Sequence, residues 1–408
     1  MKIILLSGGS GQRLWPLSNG TQAKQFLRLL KSPEGEKESM VQRVVRQIKE
    51  AGLLESITVA TSMSQADMIA NQLGEYGVDI VTEPARRDTF PAIALASAYL
   101  QKEKHCRPDE IVVVMPCDPY TESGYFHTIA KMVKAVESNA ADLVLMGITP
   151  TSPSSKFGYI VPQAGDASAE VQPVNRFVEK PERALAEQLL AEGALWNGGV
   201  FAFRLGYITQ ILEKYVNAPS FTEVRARYQE FPKISFDYEV AERASSVAVV
   251  SFTGQWKDLG TWNALTEELP SQTIGNVVLD EQAVNTHVVN ELDLPLICVG
   301  TRDLVIATSN DGILVADKDH SEDLKKHLAK LGTDSRPMYE ERRWGEYKVI
   351  DHIEFADGQK VLTKRLCIRA GKNISYQVHH HREEVWTIIN GTGQLVLNGA
   401  QRHVKPGD

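Results

Sequence analysis

Residues 7–17 read Ser7-Gly8-Gly9-Ser10-Gly11-Gln12-Arg13-Leu14-Trp15-Pro16-Leu17, directly after a short apolar run. Glycines let the backbone approach a ligand closely and turn its N–H groups inward, as a phosphate cradle requires. Arg13 sets a permanent, fork-shaped cation beside the loop, suited to a polyphosphate. Lys24, in Lys24-Gln25-Phe26-Leu27, supplies a second cation. The string is not a P-loop, because no Gly-Lys-Ser/Thr follows at the right distance. Nor is it the dinucleotide fingerprint, because Leu14 stands where a third glycine belongs. Asp118 closes Met115-Pro116-Cys117-Asp118 after another β-branched run, a place from which a carboxylate can hold Mg²⁺ against phosphate oxygens.

Taken whole, the glycine-arginine string with its downstream lysine resembles the sugar-1-phosphate nucleotidylyltransferases, and its spelling is similar to their mannose-1-phosphate guanylyltransferase branch. The resemblance extends over about residues 1–330. It is carried further by Glu83-Pro84-Ala85-Arg86-Arg87-Asp88-Thr89, Phe157-Gly158-Tyr159, Phe177-Val178-Glu179-Lys180-Pro181, Trp196-Asn197-Gly198-Gly199 and Trp256-Lys257-Asp258-Leu259-Gly260, in the family's order. It implies a nucleotide held by Ser7, Gly8, Gly9, Gly11, Glu83 and Thr89, and a sugar held by Gly158, Glu179 and Asn197. Lys180 neutralises the sugar phosphate, and Asp258 joins Asp118 on Mg²⁺ or another divalent cation. The family writes Asn, Ala and His where this chain has Asp88, Phe90 and Pro119. Trp196 and Trp262 read as core aromatics.

The implied reaction is attack by an already ionised sugar 1-phosphate on the α-phosphorus of a nucleoside triphosphate, with pyrophosphate leaving. It needs no Ser or Cys nucleophile, only in-line positioning and neutralisation of charge by Arg13, Lys24, Lys180 and the metal. GTP and mannose 1-phosphate are the leading pair. Another nucleotide and hexose 1-phosphate, or a protein that binds sugar nucleotides without turnover, stay open.

Near the C-terminus, Trp344-Gly345-Glu346-Tyr347 and the run Tyr376-Gln377-Val378-His379-His380-His381-Arg382-Glu383-Glu384 resemble the start of the cupin isomerase domain fused to some guanylyltransferases. His379, His381 and Glu384 are the metal ligands that resemblance offers, since residues two apart on a strand share a face. The sequence stops at a Pro-Gly turn, so the expectation is a partial cupin barrel without isomerase activity.

The elements that must position these groups are legible in outline. Strands are expected at residues 2–6, 57–61, 78–82, 111–115 and 143–147, with helices at 40–51 and 91–103. Alternating strand and helix predict an α/β, Rossmann-like core over residues 1–270 with a mostly parallel sheet, ligands sitting beyond the carboxyl ends of its strands. A β-rich segment follows at 271–332, with short strands at 277–279, 287–289, 296–299, 304–307 and 312–316 and a closing helix at 321–331. Residues 333–343 read as a linker and 344–408 as the partial cupin.

Composition bounds the rest. Of 408 residues, 43% are hydrophobic and 24% charged, which excludes wholesale disorder. A net charge of −8 argues against a nucleic-acid coat or a polybasic membrane binder. No apolar run reaches membrane length, and the scattered Cys106, Cys117, Cys298 and Cys367 suggest reduced thiols. A cytoplasmic protein with small-molecule partners is expected, and a homodimer is the default assembly.

Overall fold

The computed structural model describes residues 1–9, 12–53, 56–165, 169–330 and 337–408. Nine strands form its large sheet: β1 (Lys2–Ser7), β2 (Ile57–Ser62), β3 (Asp79–Glu83), β4 (Ile111–Pro116), β5 (Leu143–Ile148), β6 (Tyr159–Pro162), β7 (Gln172–Val178), β8 (Leu195–Arg204) and β9 (Val247–Phe252). Their spatial order is β3-β2-β1-β4-β8-β5-β9-β7-β6. The first four are parallel, as crossover helices Met40–Glu50, Ala66–Leu73 and Thr89–Lys102 require.

The expectation of a mostly parallel sheet holds only for this half. β8 inserts antiparallel between β4 and β5, and β6 and β7 pair antiparallel as near neighbours in the chain. Because β8 also pairs with β6, strands β8, β5, β9, β7 and β6 close a circuit. No helix separates β6 from β7, which leaves a reversal as the short way back for that pair.

Aliphatic side chains of both faces are buried under helices. Met40–Glu50 starts with a capping box at Ser39, and its apolar stripe Val41, Val44, Val45 and Ile48 packs on one face. Thr89–Lys102 is apolar nearly all round and lies buried on the other face with Leu205–Glu213.

The β-rich segment matches its expected strands closely, and its arrangement is a coil. Thr273–Ile274, His287–Asn290 and Leu304–Ser309 pair in parallel on one face, and Val277–Leu279 pairs in parallel with Leu296–Cys298 on another. Parallel strands without intervening helices can pair in this way when the chain winds as in a β-helix. The closing helix is shorter than expected: a 3₁₀ turn Ser321–Asp323 leads into Leu324–Leu328, and residue 331 lies outside the described residues.

This coil presses on the loop after β1. Leu14, Leu17, Leu27 and Leu30 share a core with Trp262, Val305, Ala307 and Leu314. Ser309 Oγ donates to the Pro16 carbonyl at 2.7 Å, and Asn19 Nδ2 to Asp311 at 2.7 Å. Gly312, at φ +154°, leaves room for the Trp15 ring, whose carbons a side chain there would overlap.

The C-terminal residues form a three-stranded antiparallel sheet (Tyr339–Arg342, Gly345–Glu354, Lys360–Ile368) and a separate hairpin (Gly393–Leu397, Ala400–Val404). Two corrections follow. Tyr339–Arg342 is a strand inside the stretch read as linker, and among the described residues the two sheets do not join into a barrel. No described helix is long and apolar enough to cross a membrane.

Candidate active site

Asp118 follows β4 at its carboxyl end, as an α/β sheet leads one to expect. Asp258 reaches it by another route. It ends the short strand Trp256–Asp258, which pairs antiparallel with Pro119–Thr121 so that Asp258 faces Pro119. A two-stranded ribbon beyond the main sheet, rather than a sheet strand itself, brings together carboxylates 140 positions apart.

Lys24, on the 3₁₀ turn Lys24–Phe26, joins them. Its Nζ lies 2.9 Å from Asp118 Oδ2 and 2.8 Å from Asp258 Oδ1. Burial works against the ammonium, but the two carboxylates outweigh it and hold its pKa above the ordinary lysine value. Hard oxygen donors that already embrace one cation fit a divalent metal.

These three groups line a cavity of about 230 Å³ together with Phe157, Trp256 and Asn197. Phe157 packs between Trp196, tilted at 48°, and Trp256, edge-to-face at 72°, with ring centroids 4.8 and 5.4 Å away. Trp196 and Trp262 are buried, as read from the sequence. Trp256, which faces the cavity, was not singled out, and its indole N–H finds no partner among the described residues.

The residues read as sugar-binding converge. A Cβ on Gly158 would overlap Glu179 Oε2 and stand 2.9 Å from the Phe177 ring and 3.4 Å from Asn197 Cβ. The Asn197 N–H donates to the Gly158 carbonyl at 2.8 Å. The Glu179 side chain is only 5% exposed and takes the Lys180 ammonium at 2.7 Å, while Lys180 adopts a left-handed φ of +45°.

The glycine loop is braced from below. Ser7 is buried at the end of β1, its carbonyl accepting from Thr61 Oγ1 at 2.9 Å and its Oγ from Gln25 Nε2 at 3.2 Å. Gln65 Nε2 donates to the Gly9 carbonyl at 2.9 Å. Gln25 belonged to a motif read for its lysine; Thr61 and Gln65 carried no signal. Glu83 Oε1 lies beside Gly8, and Glu83 Oε2 accepts from the Tyr228 hydroxyl at 2.6 Å. Burial raises the Glu83 pKa against the effect of that bond. Gly8 and Gly9 are exposed, whereas Gly11 lies outside the described residues.

Two residues are less engaged with the cavity than the sequence implied. Arg13 is exposed on the turn Gln12–Leu14. The Thr89 hydroxyl accepts from the Phe236 N–H at 2.8 Å, tying the helix start to the 236–241 segment. The cupin ligands are not assembled: His379 Nε2 sits 3.2 Å from Glu384 Oε1, and Arg382 reaches both. A guanidinium at that point repels a metal. No group of three His, Cys, Asp or Glu side chains that could hold one occurs among the described residues.

A phosphate-type loop, a cation held by two carboxylates and a polar pocket on one mixed sheet define a phosphate-transferring α/β enzyme. Comparison with known proteins makes this specific. The family model described as nucleotidyl transferase matches residues 2–273, and one described as mannose-6-phosphate isomerase C-terminal matches residues 334–408. The chain belongs to the nucleotidyl transferase family, and within it to the mannose-1-phosphate guanylyltransferases. A mannose-1-phosphate guanylyltransferase of Escherichia coli K12 is 32% identical over 97% of this chain and 87% of its own length. The Salmonella typhimurium enzyme of that name is 33% identical over 97% and 86%. A crystal structure from Thermus thermophilus, described as a mannose-1-phosphate geranyltransferase, superposes with a TM-score of 0.64 at 28% identity. It covers 81% of this chain and 98% of that one.

Proposed function

We propose that the chain joins GTP to mannose 1-phosphate, giving GDP-mannose and pyrophosphate. The observation that carries this reading is Lys24 held between Asp118 and Asp258, in one cavity with Asn197 of the acceptor pocket. Asp118 and Asp258 would hold a divalent cation, Mg²⁺ by preference, which would supply charge neutralisation at the phosphates. Lys24 leaves its place between them and meets the α-phosphate. The glycine-loop N–H groups and Arg13 take the departing pyrophosphate, and Ser7 and Glu83 with Thr89 shape the nucleotide end. Gly158, Glu179 and Asn197 hold the sugar, and Lys180 brings in its phosphate. The attacking oxygen is already ionised, so no general base is required.

The test crosses four nucleoside triphosphates with mannose 1-phosphate, glucose 1-phosphate and no sugar, reading Mg²⁺-dependent pyrophosphate release. Selective release with GTP and mannose 1-phosphate is expected. Release with a different pair moves the specificity and keeps the chemistry. No release with any pair contradicts the reading.

A further inference from the structure

The side-chain amide of Asn197 is fixed at both ends. Its Nδ2 lies 2.7 Å from Asp237 Oδ1, and its Oδ1 lies 3.1 Å from the Gly199 nitrogen. The carboxylate of Asp237 can only accept and the Gly199 N–H can only donate, so the amide has one allowed orientation. An amide nitrogen carries two hydrogens, and one is left over. Asn197 therefore keeps one N–H donor to offer its cavity, in a fixed orientation.

Asp237 lies outside every motif read from the sequence. It opens a single π-type turn, Asp237–Ala241, a rare geometry that recurs at functional sites. The turn is anchored on both sides: the Phe236 N–H donates to Thr89 Oγ1, and Glu242 Oε1 accepts the Glu179 N–H at 3.3 Å. Its carboxyl faces Glu179 and Lys180 as well as Asn197. A half-buried carboxylate beside a second one is costly to desolvate, and the Asn197 amide, a backbone N–H and the Lys180 charge offset that cost.

We propose that Asp237 is a positioning residue for the acceptor sugar. Acting through Asn197, it presets the amide so that the free N–H meets an oxygen of the sugar 1-phosphate. This rests on the assignment of the acceptor pocket given above.

The test is a double-mutant cycle on the full chain: Asp237→Ala, Asp237→Asn, Asn197→Ala and the Asn197→Ala/Asp237→Ala double variant. Steady-state KM is read for each substrate, and titration calorimetry with GDP-mannose reads binding without turnover. Asp237→Ala raises the KM for mannose 1-phosphate about tenfold, or about 1.4 kcal/mol, and leaves the KM for GTP within about twofold. Asp237→Asn, whose carbonyl still accepts from the amide, recovers most of the loss and guards against a folding artefact. The double variant is no worse than Asn197→Ala alone. An unchanged sugar KM in Asp237→Ala, or penalties that add in the double variant, overturns the proposal. If the wild type binds GDP-mannose and never turns over, the functional reading falls, and the calorimetric cycle still decides the role of Asp237. If it does not bind GDP-mannose, both fall.

Discussion

The core sheet and the C-terminal sheets are built from similar residues and solve burial differently. In β1 and β4, Ile3, Ile4, Leu5 and Val112–Met115 are fully enclosed, because helices cover both faces. In Gly345–Glu354 and Lys360–Ile368, Ile350, Ile353, Val361, Leu366 and Ile368 are exposed, and Val349 is the buried aliphatic of the pair. Aliphatic and β-branched residues form strand pairs in both regions, but a second layer is needed to turn such a pair into a rigid platform. The site sits where that layer exists. There Lys24 is held within 3 Å of both Asp118 and Asp258. His379 and Glu384, on an uncovered stretch, pair with Arg382 instead.

The largest effect that sharpens this contrast is at the cation. Lys24→Met keeps the length of the side chain and removes its charge, and pyrophosphate release falls about 100- to 1000-fold. The thermal midpoint stays close to the wild type, as a direct comparison of melts and rates will show. Equal turnover in the two proteins would place the chemistry elsewhere.

Packing comes next. Val113→Ala, in the closed core, costs about 2 kcal/mol in denaturant melts. Ile353→Ala, at 43% exposure, costs below about 0.5 kcal/mol. A comparable loss at both sites would mean that the C-terminal face is covered in solution. Gly158→Ala pushes on Glu179, Phe177 and Asn197 together and raises the KM for the sugar phosphate by about tenfold or more, with the nucleotide KM held. A rise confined to GTP would break the assignment of this pocket.

The smallest effect is one of pH. Burial, with the Glu179 charge adding to it, pushes Asp237 from 3.8 up to about 6. The folded state thus holds this proton more tightly than the open chain does. The stability it contributes is complete below about pH 4 and is lost as pH rises through 6. Asp237→Asn, neutral throughout, is expected to gain about 1–2 kcal/mol over the wild type at pH 8 and nothing at pH 4. An equal gain at both pH values would assign the effect to packing.

Much of the glycine-loop half was legible in the sequence because its signals are local. The apolar runs of β1, β2 and β4, the stripe of Met40–Glu50 and the Gly-rich turn each occupy one short window. The acceptor half was legible only as motifs. Leu195–Arg204 reads Leu-Trp-Asn-Gly-Gly-Val-Phe-Ala-Phe-Arg, with no clean alternation, and its register shifts between Asn197 and Phe201. Gln172–Val178 is mostly polar or exposed, so hydrophobic period could not mark it. The ribbon that carries Asp258 to Asp118 and the winding of residues 273–309 depend on which distant strand is the partner, and periodicity does not encode that. Asp237 and Gln65 act through single hydrogen bonds to residues 40 and 56 positions away, and no spacing rule announces such contacts.

The most direct test of the account follows GTP, mannose 1-phosphate and Mg²⁺ with the enzyme by ³¹P NMR. Pyrophosphate and a nucleoside diphosphate sugar should appear in equal amounts as both substrates disappear. Orthophosphate from GTP, or two unchanged substrates, would contradict nucleotidyl transfer at this site.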